Sequence, residues 1–402
     1  MSRTAHTPEI RRHADLSMAQ RIMSPRASPT HGATEPELWK HRVMQQNDSA
    51  RDWDASARPA PRAPIAVAPP ADPEPPRVGV VVIGRNEGDR LMRCLRSLTG
   101  AARQVVYVDS GSTDDSVETA RSMGVATVEL DMRIPFAPGR ARNAGYQRLR
   151  ELLPKLDYVQ FVDGDCEVDA TWLEQAAEFL RTHEDVAVLG GRRYERHPDR
   201  SVYNRICAME WDAHPIGEAT TCGGDALMRA DAFEAASGYR TDLMAGEEPE
   251  LCERLRAAGW RVWFLNAPLT THDAAMLRFG QWWQRSARSG YGATQRACVC
   301  PAADRVKGLR DIVSCWAWVI ALPGVAVTLS LAWGPWALTL LLLYPMQVIR
   351  VALRSGRGES WKYSLQYSLF LLIAKVPKLI GQLTFLRHHW GMRPARLIEY
   401  KS

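Results

Sequence analysis

Residues 78–83 form a short, almost wholly apolar run of the kind a parallel sheet buries on both faces. Residues 88–98 switch to helical spacing, with Leu91, Cys94, Leu95 and Leu98 on one face. The alternation then repeats. Strands are predicted at 105–108, 125–130 and 158–162, and helices at 113–123 and 140–153. This order, within residues 77–275, predicts an α/β domain with a doubly wound, mostly parallel sheet. Such sheets bind ligands beyond the carboxyl ends of their strands. The polar clusters after Ile83, Val108 and Val162 all fall at such ends.

The pattern changes towards the C-terminus. Residues 312–349 contain no charge at all. One bilayer crossing needs about 20 residues, so the run predicts a transmembrane helical hairpin over 312–350. Trp333-Gly334-Pro335-Trp336 at its middle supplies turn residues and interfacial tryptophans. Arg305, Lys307 and Arg310 precede the run, and Arg350, Arg354 and Arg357 follow it. Positive charge on both flanks places both in the cytoplasm. A further apolar stretch, 363–386, carries Lys375, Pro377 and Lys378 and is predicted to lie in the interface, within an interfacial or membrane helix and basic tail at 361–402. Phe279, Trp282, Trp283, Arg285 and Arg288 make 276–311 a basic, aromatic juxtamembrane segment. Residues 1–76 are rich in Pro, Ala and Arg and predict a disordered tail.

Composition narrows the class only slightly. A net charge of +6 on 402 residues suits a membrane surface or phosphorylated ligands. No zinc-finger, basic-zipper or RNA-recognition pattern is present, so no nucleic-acid partner is expected. Eight scattered cysteines point to a reducing compartment, and the first 30 residues predict no cleavable secretory signal. Oligomeric state is not legible.

The candidate chemistry sits at the strand ends. Asp163-Gly164-Asp165 follows a strand directly, and two hard carboxylates there suit Mg²⁺ or Mn²⁺. Asp109 closes an earlier strand, where it is placed to bind a nucleotide base or ribose. Arg85, Asn86 and Glu87 follow the first strand, placed to bind a nucleotide or to cap the next helix. Arg140 and Arg142, with Asn143 beside them, begin a helix, where the two cations can neutralise a diphosphate. Glu247, Glu248 and Glu250 offer carboxylates of which one can act as a general base. His272 follows a strand-like run at 261–265 and is either a metal ligand or a loop histidine.

These pieces, in this order, resemble glycosyltransferase family 2, the inverting family with the A-type glycosyltransferase fold. The resemblance runs over about residues 77–275 and rests on Arg85-Asn86-Glu87, the 106–114 segment, the 140–145 segment, Asp163-Gly164-Asp165 and Gly246 to Trp260. It implies a nucleotide-sugar donor bound by Arg85, Asn86, Glu87, Asp109, Arg140, Arg142, Asn143 and Asp163. It implies Mg²⁺ or Mn²⁺ on Asp163 and Asp165, to which His272 is a candidate further metal ligand read from its own position. It also implies Glu248 as the base, with Glu247 as its rival, and Gly224, Asp225 and Trp260 on the acceptor side. The membrane segments add a lipid-linked or saccharide acceptor, membrane lipids as partners, and a catalytic domain on the cytoplasmic face of the inner membrane. Two other readings stay open at this point. One is a sugar nucleotidyltransferase, for which residues 83–88 are poor in Gly and Lys. The other is a membrane-anchored, non-catalytic protein with a transferase fold.

Overall fold

The computed structural model describes residues 75–212, 216–300, 302–355 and 360–391. Of the expected tail only residues 75 and 76 fall within that range, and the basic end beyond residue 391 falls outside it.

Nine strands form one sheet. They are β1 (Val78–Gly84), β2 (Gln104–Asp109), β3 (Ala126–Glu129), β4 (Tyr158–Asp163), β5 (Cys166–Val168), β6 (Val186–Glu195), β7 (Gly217–Ala219), β8 (Ala226–Arg229) and β9 (Arg261–His272). The order across the sheet is β3-β2-β1-β4-β8-β6-β9-β5, with β7 on β9. Period-two alternation decides which side each residue serves. Val80 and Val82 of β1 join the core formed with Leu91, Leu95 and Trp172. Val81 and Ile83 join the opposite core, with Ala141, Leu149 and Phe161. Both faces are therefore covered, as the continuous apolar run required. Each fully buried side chain of this kind stabilises the fold by about 1.5–3 kcal/mol. Even the buried Gln160 is satisfied, since its Oε1 accepts the Trp172 Nε1–H at 2.8 Å.

The expected parallel, doubly wound arrangement holds for β1 to β4, which pair in parallel. Beyond β4 the sheet is mixed. β8 runs antiparallel to both β4 and β6, β6 is parallel to β9, and β5 and β7 are antiparallel to β9. β8 spans only Ala226–Arg229, too short to show a periodicity that would reveal it in sequence.

This register sets the stage for function. Gly84 lies opposite Asp109 and Ile83 opposite Asp163, so the carboxyl ends of β1, β2 and β4 are flush. The antiparallel β8 brings its own beginning to the same edge, placing Asp225 beside Asp163. In the β5–β9 pair, Cys166 faces His272, which carries His272 to the Asp165 loop.

The C-terminal region is helical. Phe279–Val299 and Ala302–Trp316 lead into a π-helical turn at Ala317–Ala321 and a helix at Leu322–Trp333. Pro323 removes one backbone donor there, which accounts for the wider turn just before it. Gly334 takes a φ of 109° and Pro335 opens the next segment, so the break falls at the expected Trp-Gly-Pro-Trp turn. Among the described residues, three helical stretches are long and apolar enough to cross a membrane by length and composition: Leu309–Trp333, Pro335–Arg354 and Trp361–His389. The third, expected to be interfacial, is broken at Ala374 into Trp361–Ile373 and Lys375–His389. Pro377 lacks the N–H that would bond the Ile373 carbonyl, and its ring clashes there.

Candidate functional site

The β1 and β2 loops are stapled to each other. Asn86, with a φ of 54°, donates its backbone N–H to Ser112 Oγ at 2.9 Å, and its Oδ1 accepts the Thr113 N–H at 2.7 Å. The Gly88 N–H donates to Asp114 Oδ2 at 3.1 Å. Asp109 is turned into its own loop. Its carboxylate accepts the Tyr107 hydroxyl at 2.9 Å, the Gly111 and Ser112 backbone N–H groups at 2.9 and 2.8 Å, and the Ser112 hydroxyl. Gly111, at φ 80°, curls the backbone back over the carboxylate. Asp109 therefore shapes the loop, and Ser110 is the residue that lines the cleft. Burial together with the Asp109 charge raises the Tyr107 phenol, which stays protonated as the donor. Glu87 is buried and pairs with Arg90 at 2.9 Å.

Arg142 is the hub of the site. Its Nη1 donates to Glu247 Oε1 at 2.7 Å and to Glu248 Oε1 at 3.3 Å, and its Nη2 donates to Asp163 Oδ1 at 3.0 Å. One buried guanidinium thus ties the β4 end to the helix Glu247–Ala257. That helix begins at Gly246 in the left-handed region, which delivers both glutamates in its first turn. Burial pushes the Glu247 carboxyl up to about 7, with the Glu248 charge adding to the effect and Arg142 opposing it. Gly224 packs against this cluster. A Cβ there would lie 2.6 Å from Arg142 Nη2 and 2.9 Å from Asp163 Oδ2.

Asp165 is buried, and His272 Nε2 lies 3.1 Å from its Oδ2. The donor atoms of Asp165, Cys166 and His272 all fall within 4.8 Å of one another. The group offers one carboxylate, one imidazole and one thiol, of which Asp165 and His272 are donors that suit Mg²⁺ or Mn²⁺. Asp225, placed by the sequence on the acceptor side, instead lies beneath Asp163. Its Oδ1 accepts the Asp163 backbone N–H at 3.0 Å, and its Oδ2 binds Thr270 Oγ1 at 2.8 Å and Arg193 Nη2 at 2.6 Å. The antiparallel sense of β8 is the reason, because it feeds Asp225 in from the sheet edge.

Three further residues singled out by the sequence are engaged outside the cleft lining. Arg140 points away from the cleft and donates to the backbone oxygens of Ile134 and Asp131 at 3.1 and 2.7 Å, bracing that loop. Asn143 pins the Tyr239 backbone through both ends of its amide, at 2.7 and 2.9 Å. Trp260 packs on the apolar cluster of one sheet face, tied by its N–H to the Leu255 carbonyl. Helical phase explains the first two: Arg140 and Asn143 flank Arg142 on the Pro138–Leu152 helix, and the three cannot share one face.

Arg85, Asn86, Glu87, Arg142, Asp163, Glu247 and Glu248 are brought together on one cleft of about 650 Å³. Its other wall comes from the helix Phe279–Val299 and from Phe370, Leu371, Ala374 and Lys378. Sequence reasoning missed Arg193, Ser110, Arg296 and Lys378. Arg193 carried no local signal, since it lies in the polar second half of β6, beside Arg192.

Comparison with known proteins agrees with this geometry. The family model described as "Glycosyl transferase family 2" matches residues 79–236. The chain is 23% identical over 257 residues to glycosyltransferase AglE of Haloferax volcanii, covering 61% of this chain and 80% of that one. It is 30% identical over 178 residues to the succinoglycan biosynthesis protein ExoA of Rhizobium meliloti, covering 42% of this chain and 53% of ExoA. Its fold is similar to that of the mannosyltransferase PcManGT from Pyrobaculum calidifontis, solved with GDP-Man and Mn²⁺, at a TM-score of 0.54 and 17% identity. That match covers 87% of this chain and 94% of the other. Residues 79–236 are a glycosyltransferase family 2 domain, and the protein is a glycosyltransferase of the A-type fold.

Proposed function

We propose that the protein transfers a sugar, with inversion, from a nucleotide-sugar donor to a lipid-linked or saccharide acceptor at the cytoplasmic face of a membrane, with the help of a divalent cation. The observation that carries this reading is the Arg142 cluster. It sets Asp163 and the Glu247–Glu248 pair on one cleft, within reach of a single bound donor.

Asp163, Asp165 and His272 would hold the cation, which when bound stabilises negative charge on the departing diphosphate. The chain's own residues do the rest. Arg85, Asn86, Glu87 and Ser110 line the donor side of the cleft. Asp109 keeps that loop in shape from beneath. Glu248 takes the acceptor hydroxyl proton as the acceptor oxygen bonds to the anomeric carbon. The anomeric C–O bond breaks in line, and its electron pair leaves on the nucleoside diphosphate. No covalent enzyme intermediate forms, so the configuration inverts. Arg142 holds Glu248 and Asp163 in place throughout. The three apolar C-terminal helices and their basic flanks support anchoring with the catalytic domain on the cytoplasmic side.

The test is a screen of nucleotide-sugar donors with membranes containing the protein. Metal-dependent release of nucleoside diphosphate is expected, and it is lost in Asp165→Ala. Release of pyrophosphate, or full activity in Asp165→Ala, would overturn the reading.

A further inference from the structure

Strand pairing carries a second carboxylate to His272, at the ring nitrogen that Asp165 does not face. Glu195 ends β6 and His272 ends β9, and the two strands run parallel with these last residues as register partners. Register partners share one face of a sheet, so the Glu195 carboxylate lies against the imidazole. Its Oε2 stands 3.7 Å from His272 Nδ1, while His272 Nε2 meets Asp165 Oδ2 at 3.1 Å. The Glu195 side chain is wholly buried.

The hydrogen bonds around Glu195 all run towards it. Its Oε1 accepts the His197 backbone N–H at 3.1 Å and an Asn204 Nδ2 hydrogen at 3.0 Å, and its Oε2 accepts the Ala274 backbone N–H at 3.1 Å. The Asn204 amide has one workable orientation. Its Oδ1 accepts the Met276 N–H at 2.9 Å, and its Nδ2 also donates to the His197 carbonyl at 3.0 Å. A carboxylate suits such a setting, whereas an amide would turn a hydrogen against a donor at one end. His272 Nδ1 has no hydrogen bond to any other group among the described residues. The acceptor facing it therefore holds the ring proton on Nδ1, which leaves the Nε2 lone pair directed at Asp165. Two acceptors 3.1 Å apart call for a cation to share.

The helix Val202–Asp212 backs this arrangement. Asn204 and Trp211 lie two turns apart on one face of it. Asn204 holds Glu195, and the Trp211 ring stands edge-on to the imidazole with centroids 4.5 Å apart. The ring is thus oriented from both the strand and the helix.

We infer that Glu195 is a positioning residue for the divalent cation: it keeps the His272 proton on Nδ1, so that Nε2 is presented as a ligand beside Asp165. Glu195 acts through the imidazole alone, and it lies outside the cleft lining. The inference rests on the metal-assisted reading above and adds to it a residue that no motif in the sequence marked.

The test uses the full-length protein in detergent micelles with Mn²⁺ alone, free Mn²⁺ being counted by its electron paramagnetic resonance signal. Glu195→Gln keeps the size of the side chain but turns amide hydrogens towards donors. It is expected to weaken Mn²⁺ binding by roughly 10- to 100-fold, the usual loss when the outer partner of a metal-bound histidine is removed. The same substitution in a His272→Ala background is expected to weaken binding no further, because the ring it acts on is gone. Equal weakening in both backgrounds would make Glu195 a brace of the fold and overturn the inference. Unchanged Mn²⁺ affinity in Glu195→Gln would overturn it too. The wild type supplies a measurement that needs no Glu195 variant. With ¹⁵N-labelled histidine and Mg²⁺ bound, the His272 signals, assigned by their loss in His272→Ala, should show a protonated Nδ1 and an unprotonated Nε2. The opposite tautomer, or both nitrogens protonated, counts against the inference. Asp165→Ala separates the two readings. If the wild type binds no Mn²⁺, or binding survives Asp165→Ala, the metal site itself is removed and this inference with it. Binding that needs Asp165 but ignores Glu195 removes this inference alone.

Discussion

At the scale of single residues, Arg142 decides the most. It is buried, and it holds three carboxylates that would otherwise repel one another. Arg142→Met leaves those charges uncompensated, and removing one partner of a buried pair costs about 3–5 kcal/mol. Denaturant unfolding is expected to show that loss, and transfer should vanish with it. The glutamate pair gives a second handle. With the Glu247 carboxyl pushed up to about 7, the pair gains a proton as the pH falls through neutrality. A protonated pair is a poor base, so kcat/KM falls on the acid side with an apparent pKa near that value. Glu247→Gln removes the carboxyl that is pushed up, so the acid limb near neutrality is lost. A pH–rate profile that does not move would remove Glu247 from the titration. Several of these residues were legible as types and positions: Asp163, Asp165 and Glu248 stood out because they follow strands or open a helix. Their partners were not. Asp225 meets Arg193 and Thr270 only through strand pairing, and no local spacing encodes that.

Among elements, the β-α repeats were legible from residue 78 to residue 163 because their apolar periods are regular and their strands are buried on both faces. Strand ends in the structure lie within a residue or two of the predicted ones, and Asp109 and Asp163 each close a strand. The short strands β5, β7 and β8 were missed, since three or four residues cannot display a period, and the ten-residue β6 and the second half of β9 were missed as well, because glycines, arginines and a proline interrupt their apolar pattern. Arg140 and Asn143 were assigned to the donor because the helix they share with Arg142 was placed without its rotation. The crossing of Phe279–Val299 with Lys375–His389 was also hidden, because it depends on two glycines far apart in sequence, Gly290 and Gly381. Gly290→Val tests it directly. An added Cβ there would overlap the Lys378 backbone, so a branched side chain has no room, and overpacking of this kind costs about 1–3 kcal/mol. The helices should part, and transfer to a lipid-linked acceptor should fall more than hydrolysis of the donor in water. An equal fall in both would argue against a role of the crossing in the acceptor wall.

For the molecule as a whole, ligand linkage offers the cleanest measurement. A cation that binds only the folded state stabilises it by about 2.7 kcal/mol at a hundred times its dissociation constant. Thermal unfolding of the full chain in detergent should shift upward with Mn²⁺ or Mg²⁺ and return on chelation. The shift should be absent in Asp165→Ala. The apolar hairpin was legible as a whole because an uncharged run with a central Gly-Pro turn has few other meanings. Its neighbour at 361–389 was legible as a helix, though three lysines and a proline blur its hydropathy and its packing against Phe279–Val299 was not readable. That packing carries a practical consequence for anyone preparing the enzyme. Clipping the chain near residue 300 to obtain a water-soluble fragment strips away one side of the reaction chamber. It also bares Gly290 of Phe279–Val299, which packs directly against the Lys378 backbone. The smallest fragment that retains the whole chamber keeps the apolar helices up to residue 389.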